Sequence, residues 1–151
     1  SKAVANRANV PWIILFGHRP IYAPNEQDNG APTGRALKVQ AFFEPILKQY
    51  EVDVYLTGHV HAYARTYPVY QNNVTSTNFN NPPSTVHVTA GGAGNREGVS
   101  AFPAQKPSWY AGGNDSTFGY GTFQVHNDSS LTWNYYISET GDLYDTFTIT
   151  K

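Results

Sequence analysis

The sequence predicts an α/β domain in which a βαβ unit is followed by mainly antiparallel strands. Three observations predict it. Two apolar runs, residues 12–16 and 52–57, are each closed by a glycine, Gly17 and Gly58. Between them Leu37, Phe42, Phe43, Ile46 and Leu47 recur close to helical spacing. After Tyr70 the chain turns to short β-rich segments separated by Asn, Pro and Gly.

Taken in order, residues 2–9 are Ala-rich with Lys2 and Arg7, and read as the last turns of an amphipathic helix that Pro11 ends. Trp12, Ile13, Ile14, Leu15 and Phe16 then form an unbroken apolar run, the pattern of a strand buried on both faces. Pro20, Pro24, Gly30 and Pro32 make residues 18–33 a long loop with little regular structure. A helix is expected over 34–50, kinked or shortened at Pro45. The second strand follows at 52–57. Strand, loop, helix and strand in that order favour adjacent parallel strands, whose C-terminal ends reach one edge of the sheet, where ligands of open α/β sheets collect. The residues just past those ends are His18, His59 and His61. Beyond them come an Asn- and Pro-rich loop over 71–83, a strand over 85–90 and a Gly-rich turn to Gly98. A hairpin of 122–126 with 131–137 and a last strand over 147–150 complete the chain.

The 151 residues fit one domain, expected to run over 1–151. A formal net charge of -1 leaves no basic field for a phosphate backbone, so no nucleic-acid partner is expected. The absence of cysteine excludes disulfides, thiolate–zinc sites and a thiol nucleophile. No apolar run reaches the roughly 18 residues that cross a bilayer, so no membrane span is expected. Charged residues make up 14%, with 11 Tyr and 3 Trp, a balance commoner in β-rich extracellular proteins. Sequons at Asn73, Asn114 and Asn127 fall in polar stretches where glycans could attach, which points to a secreted glycoprotein. The chain has no methionine and begins Ser1-Lys2-Ala3, so it is expected to be a processed or truncated product with polypeptide missing upstream.

Gly58-His59-Val60-His61 directly follows the second apolar run. On extended backbone the two histidines would project to opposite sides, which one metal would not easily accommodate. Two metals about 3.5–4 Å apart could each take one, the arrangement with which two-metal phosphatases clamp attacking and leaving oxygens. His18 supplies a third imidazole, and Gly17 and Gly58 suit a sharp change of direction. His87 and His126 lie inside later strands without such neighbours and are expected to be structural.

Trp12 through Tyr22, Gly58 through Arg65, and the late Gly119-Tyr120-Gly121 with Val125-His126-Asn127 resemble, in order, the C-terminal half of the purple acid phosphatases, members of the calcineurin-like metallophosphoesterases. The resemblance implies the C-terminal half of a four-layer αββα sandwich, with the N-terminal half absent. It implies that His18 and His59 bind a divalent ion (Zn, Mn or Fe) and that His61 binds Fe(III). The remaining ligands are implied to come from an N-terminal half, covalently joined or cleaved and still associated. It further implies hydrolysis of phosphate monoesters at acid pH, by a protein that is secreted, extracellular or vacuolar-lysosomal. Arg19 and Arg65 are candidate contacts to the substrate phosphate.

Two features depart from the family pattern. Ala64 stands where the family usually has glutamate beside the arginine, which bears on how the ligands are oriented. The loop between Tyr22 and Thr33 has no histidine of the kind some plant members use to hold phosphate. The alternative expectation is therefore a catalytically inactive, glycosylated structural or interaction protein on the same fold.

Overall fold

A computed structural model describes residues 2–151. A short helix α1 (Lys2–Ala5) leads into β1 (Ile14–Gly17), and the loop that follows carries β2 (Gln27–Asp28) and β3 (Ala31–Pro32). Helix α2 (Gly34–Gln49) precedes β4 (Val54–Thr57). β1 and β4 pair in parallel, Ile14 opposite Val54 through Gly17 opposite Thr57, so the two glycine-closed runs do end side by side.

The rest of the chain adds β5 (Tyr63–Thr66), β6 (Val69–Tyr70), β7 (Asn73–Val74), β8 (Val86–Ala90) and β9 (Tyr110–Asn114). β10 (Gly119–Asn127), β11 (Ser130–Ile137) and β12 (Leu143–Thr150) then form a separate antiparallel sheet in that order. The larger sheet has the order β1-β4-β8-β5-β9. β8 pairs parallel with β4, and β5 runs antiparallel to both β8 and β9. The parallel part therefore extends into the half expected to be antiparallel.

Alternation along the central strands builds the layers. Val54, Tyr63, Val86 and Val88 face Leu131, Trp133, Tyr135, Phe147 and Ile149 of the smaller sheet. On the opposite face Tyr55 and Leu15 meet Leu47, Val39 and Phe43 of α2. The order is thus helix, mixed sheet, antiparallel sheet, an α/β sandwich. Burying one such large side chain stabilises by about 1.5–3 kcal/mol, and Trp109, Trp133, Tyr63 and Tyr135 are all at or below 2% exposure.

Four expectations need correction. The first strand starts at Ile14, and it is a sheet edge on which Phe16 is 69% exposed, so it is not buried on both faces. The loop over 18–33 contains the β2–β3 hairpin, because Asn29 (φ 48°) and Gly30 (φ 85°) both adopt the left-handed conformation that a tight two-residue turn demands. Its first part is core: Ile21, Tyr22 and Ala23 are at most 1% exposed.

Third, α2 runs unbroken past Pro45 and buries Ala36, Gln40, Glu44 and Leu47, leaving Leu37 and Phe42 exposed. Its orientation follows from a polar network. The Tyr22 hydroxyl donates to Glu44, Gln71 N donates to the same Oε1 at 3.0 Å, and Gln40 Nε2 donates to Tyr22 Oη and Asn72 Oδ1, each at 2.9 Å. Buried polar groups are tolerated when so satisfied, and the packing offsets the one backbone bond Pro45 forfeits. Fourth, residues 6–9 of the expected first helix are turns rather than helix.

Candidate metal centre

His18 follows β1 directly, and His59 and His61 follow β4, so the parallel pairing brings all three to one rim. Gly58 N donates to the His18 carbonyl at 3.1 Å, tying the two strand ends together. The His18 and His59 rings lie 5.0 Å apart, edge to face. With His61, Asn95, Glu97 and Ser100 they line an open cleft of about 770 Å³.

The backbone at the motif is bent, not extended, which corrects the expected side-to-side projection. Val60 N donates to Gly58 O and Ala62 N to Val60 O, each at 2.8 Å, and these tight turns swing both histidines to the same cleft. The left-handed residue is His59 itself, at φ 64°, not Gly58. A non-glycine residue held there is strained, and strain of this kind gathers at functional sites.

The Gly-rich turn after β8 is sewn to the motif. Ser100 N donates to His61 O at 2.8 Å and Gly91 N to Ala62 O at 3.1 Å. A Cβ on Gly91 would overlap the Val60 carbonyl, so only glycine allows this approach. Asn95 Oδ1 accepts from Glu97 N at 2.7 Å, holding the turn that brings Glu97 Oε2 to 3.6 Å from His61 Nδ1.

His59 faces a second carboxylate, Glu26, at 3.5 Å from Nε2, and Glu26 also meets Arg19 at 3.6 Å. Burial lowers the His59 pKa below the ordinary imidazole value, Arg19 adds to this, and Glu26 opposes it. A lowered pKa keeps the ring neutral, the state in which it can ligate. Neither carboxylate was singled out from the sequence. The Asn29-Gly30 turn is the signal that folds the loop back and so could have pointed to Glu26.

Arg65 lies elsewhere. Its Nε and Nη2 donate to Asp145 at 2.6 and 3.1 Å, and its guanidinium packs over Phe79 and Phe147 between the sheets. The guanidinium is therefore already committed, and it does not line the cleft. Tyr63 also donates to Asp145, at 2.7 Å. Ala64 is 3% exposed in the middle of β5.

His87 is buried at 3% exposure between Tyr22 and Tyr55, and burial pushes its pKa down to about 3. His126 is exposed and hydrogen-bonds with Thr132 at 2.9 Å. Neither approaches the cleft, as expected of structural histidines. Asn114 is 5% exposed, and its Nδ2, the atom a glycan would join, donates to Thr117 Oγ1 at 2.9 Å. Asn73 and Asn127 are exposed. A second cleft of about 510 Å³, among Arg7, Asp53 and Lys151, has its charges paired, Arg7 to Asp53 at 3.3 Å and Lys151 to Asp53 at 2.8 Å.

The donor chemistry fits a metal in kind but is incomplete. Neutral imidazoles suit zinc and iron. Among the described residues, however, no group of three or more His, Cys, Asp or Glu is arranged to hold an ion by itself.

The chain is similar to known proteins along nearly its whole length. Acid phosphatase A of Cryphonectria parasitica is 34% identical over 152 residues, covering 99% of this chain and 28% of its own length. The probable inactive purple acid phosphatase 27 of Arabidopsis thaliana is 32% identical, covering 97% of this chain and 24% of its own length. The structure of a purple acid phosphatase from yellow lupin (Lupinus luteus) seeds matches with a TM-score of 0.84 at 29% identity, over 99% of this chain and 27% of that one. The chain thus spans between 24% and 28% of the length of these relatives. The family model for calcineurin-like phosphoesterases matches residues 1–63, and that for the iron/zinc purple acid phosphatase-like protein C matches residues 84–146. With the two models matched in both halves of the chain and these relatives aligned along nearly all of it, this chain belongs to the purple acid phosphatases, within the calcineurin-like metallophosphoesterases.

Proposed function

We propose that this chain is part of a hydrolase that cleaves phosphate monoesters at acid pH with a dinuclear metal site. The observation that carries the reading is the convergence of His18, His59 and His61 on one cleft at the C-terminal ends of parallel strands. In this reading His18 and His59 hold a divalent ion (Zn, Mn or Fe) and His61 holds Fe(III), with carboxylate ligands from upstream polypeptide of the full-length protein. The relatives' greater length and the incomplete donor set support that division.

When bound, the two ions would supply Lewis acidity toward the phosphate oxygens and toward water. This chain's own residues do the rest. The bent 58–62 backbone aims two imidazoles into one cleft, and Arg19, which shares Glu26 with His59, is the candidate contact to substrate phosphate, as a planar fork suits phosphate oxygens. Arg65, paired with Asp145, is assigned to holding the two sheets together. Secretion or vacuolar-lysosomal placement, with glycans on Asn73 and Asn127, belongs to the same proposal and rests on the exposed sequons.

The experiment is metal analysis of the full-length protein beside hydrolysis of p-nitrophenyl phosphate at acid pH, for wild type and His18→Ala, His59→Ala and His61→Ala. Each variant should lose metal, and activity by more than the roughly 10–100-fold that loss of a ligand's hydrogen-bond partner costs. A fully active, metal-loaded variant would remove its histidine from the site. A second reading is favoured by the relatives named probable inactive and by Ala64: the fold kept as a structural or interaction protein without turnover. Metal-free, inactive wild-type protein would select it.

A further inference from the structure

Glu26 lies in the loop that follows His18 and approaches His59 from outside the histidine motif. One carboxylate oxygen, Oε1, is 3.5 Å from His59 Nε2 and 3.6 Å from Arg19 Nη1. The other, Oε2, is buried with no hydrogen-bond partner among the described residues. A carboxylate oxygen shut away from water without a donor is unfavourable, so its position needs something that holds it there.

The backbone holds it. Glu26 N donates to Ala23 O and Thr33 N donates to Glu26 O, both at 3.0 Å. Ala23 is fully buried, and the hairpin beyond is anchored where Trp109 Nε1 donates to Gly30 O at 2.7 Å. Glu26 is thus placed by the folded loop rather than by chance rotation of an exposed side chain.

An imidazole that binds a metal does so through one nitrogen, and the proton stays on the other. A carboxylate facing Nε2 favours the proton there and leaves Nδ1 with the free lone pair. The geometry points to Glu26 as a positioning residue that fixes the tautomer and ring plane of His59, so that Nδ1 is the nitrogen offered to the metal. At 3.5 Å the contact is longer than a formed N–H···O bond of about 2.7–3.2 Å, and a shift of a few tenths of an ångström by either side chain would form it. The inference rests on the metal reading above and adds a residue to it.

The test is competitive chelator titration of zinc into the full-length protein, with Glu26→Ala, Glu26→Gln, Arg19→Gln and His59→Ala. Zinc affinity should fall about 10–100-fold in Glu26→Ala and further in His59→Ala, and by less in Arg19→Gln, which removes only the cation beside Glu26. Glu26→Gln keeps the side-chain volume and should show part of the loss if Glu26→Ala folds poorly. Histidine-selective nitrogen spectra should show His59 as the Nε2–H tautomer in wild type and a shift from it in both Glu26 variants, a change that loop packing alone would not produce. Wild-type zinc affinity and an unchanged tautomer in the Glu26 variants would overturn the inference and leave the metal reading standing. An Arg19→Gln loss equal to that of Glu26→Ala would also overturn it, by assigning the effect to the arginine. Undiminished zinc binding by His59→Ala would instead bring down the metal reading and the inference with it.

Discussion

The stretch from His59 to Arg65 belongs to two different regions of the molecule. Its first part sits at the rim: His59 and His61 have 29% exposed side chains, one is strained at φ 64°, and both meet carboxylates only at 3.5–3.6 Å. Its last part lies between the sheets: Tyr63 is fully buried, Arg65 is 12% exposed, and both are locked to Asp145 by bonds of 2.6–3.1 Å. One motif therefore supplies a loosely held end at the rim and a tightly held, structural end. Neighbouring positions in one motif need not all touch substrate.

The largest effect should come from the structural end. Arg65→Ala strips Asp145 of its bidentate partner in a largely buried setting, and breaking such a pair typically costs about 3–5 kcal/mol. Urea unfolding should register that loss. The rim should behave oppositely in the same assay. His59→Gly removes the proposed ligand but relieves a left-handed side chain, so stability should rise by about 0.5–1 kcal/mol while metal binding is lost. If Arg65→Ala costs nothing in stability yet abolishes phosphate binding, the division drawn here is wrong.

A smaller effect sharpens the contrast between rim and interior histidines. Burial holds the His87 pKa at about 3, against an ordinary 6.5, so the native state stays neutral over a range in which the unfolded chain takes up a proton. Stability attributable to His87 should therefore fall as pH drops from about 6.5 toward 3, by up to about 1.4 kcal/mol per pH unit. His87→Phe should flatten that part of the stability profile in urea titrations. An unchanged slope would mean that other groups set the acid limit.

The parallel pair and the rim were legible because the signal is local. A short apolar run ending in glycine shows where a strand stops, and a βαβ order brings the stops together. β9 was not legible, since its Tyr-Ala-Gly-Gly-Asn sequence carries little strand propensity. It is a strand because it pairs with β5, and that is decided by a partner far away in the sequence. The burial of Gln40 and Glu44 on α2 was not legible for the same reason: they are buried only because Tyr22, Gln71 and Asn72 arrive from other loops to satisfy them. Arg65 illustrates the limit for the site, where a residue type suited to phosphate is claimed first by a carboxylate of the last strand.

The central claim is that His18, His59 and His61 share a metal cleft completed by the rest of the protein. Anomalous diffraction from crystals of the full-length protein, recorded at the iron and zinc edges, tests it most directly. The account expects two peaks in the cleft, one within about 2.0–2.2 Å of nitrogens on His18 and His59 and the other at that distance from His61. Peaks bound by other residues, or none near these three imidazoles in active protein, would contradict it.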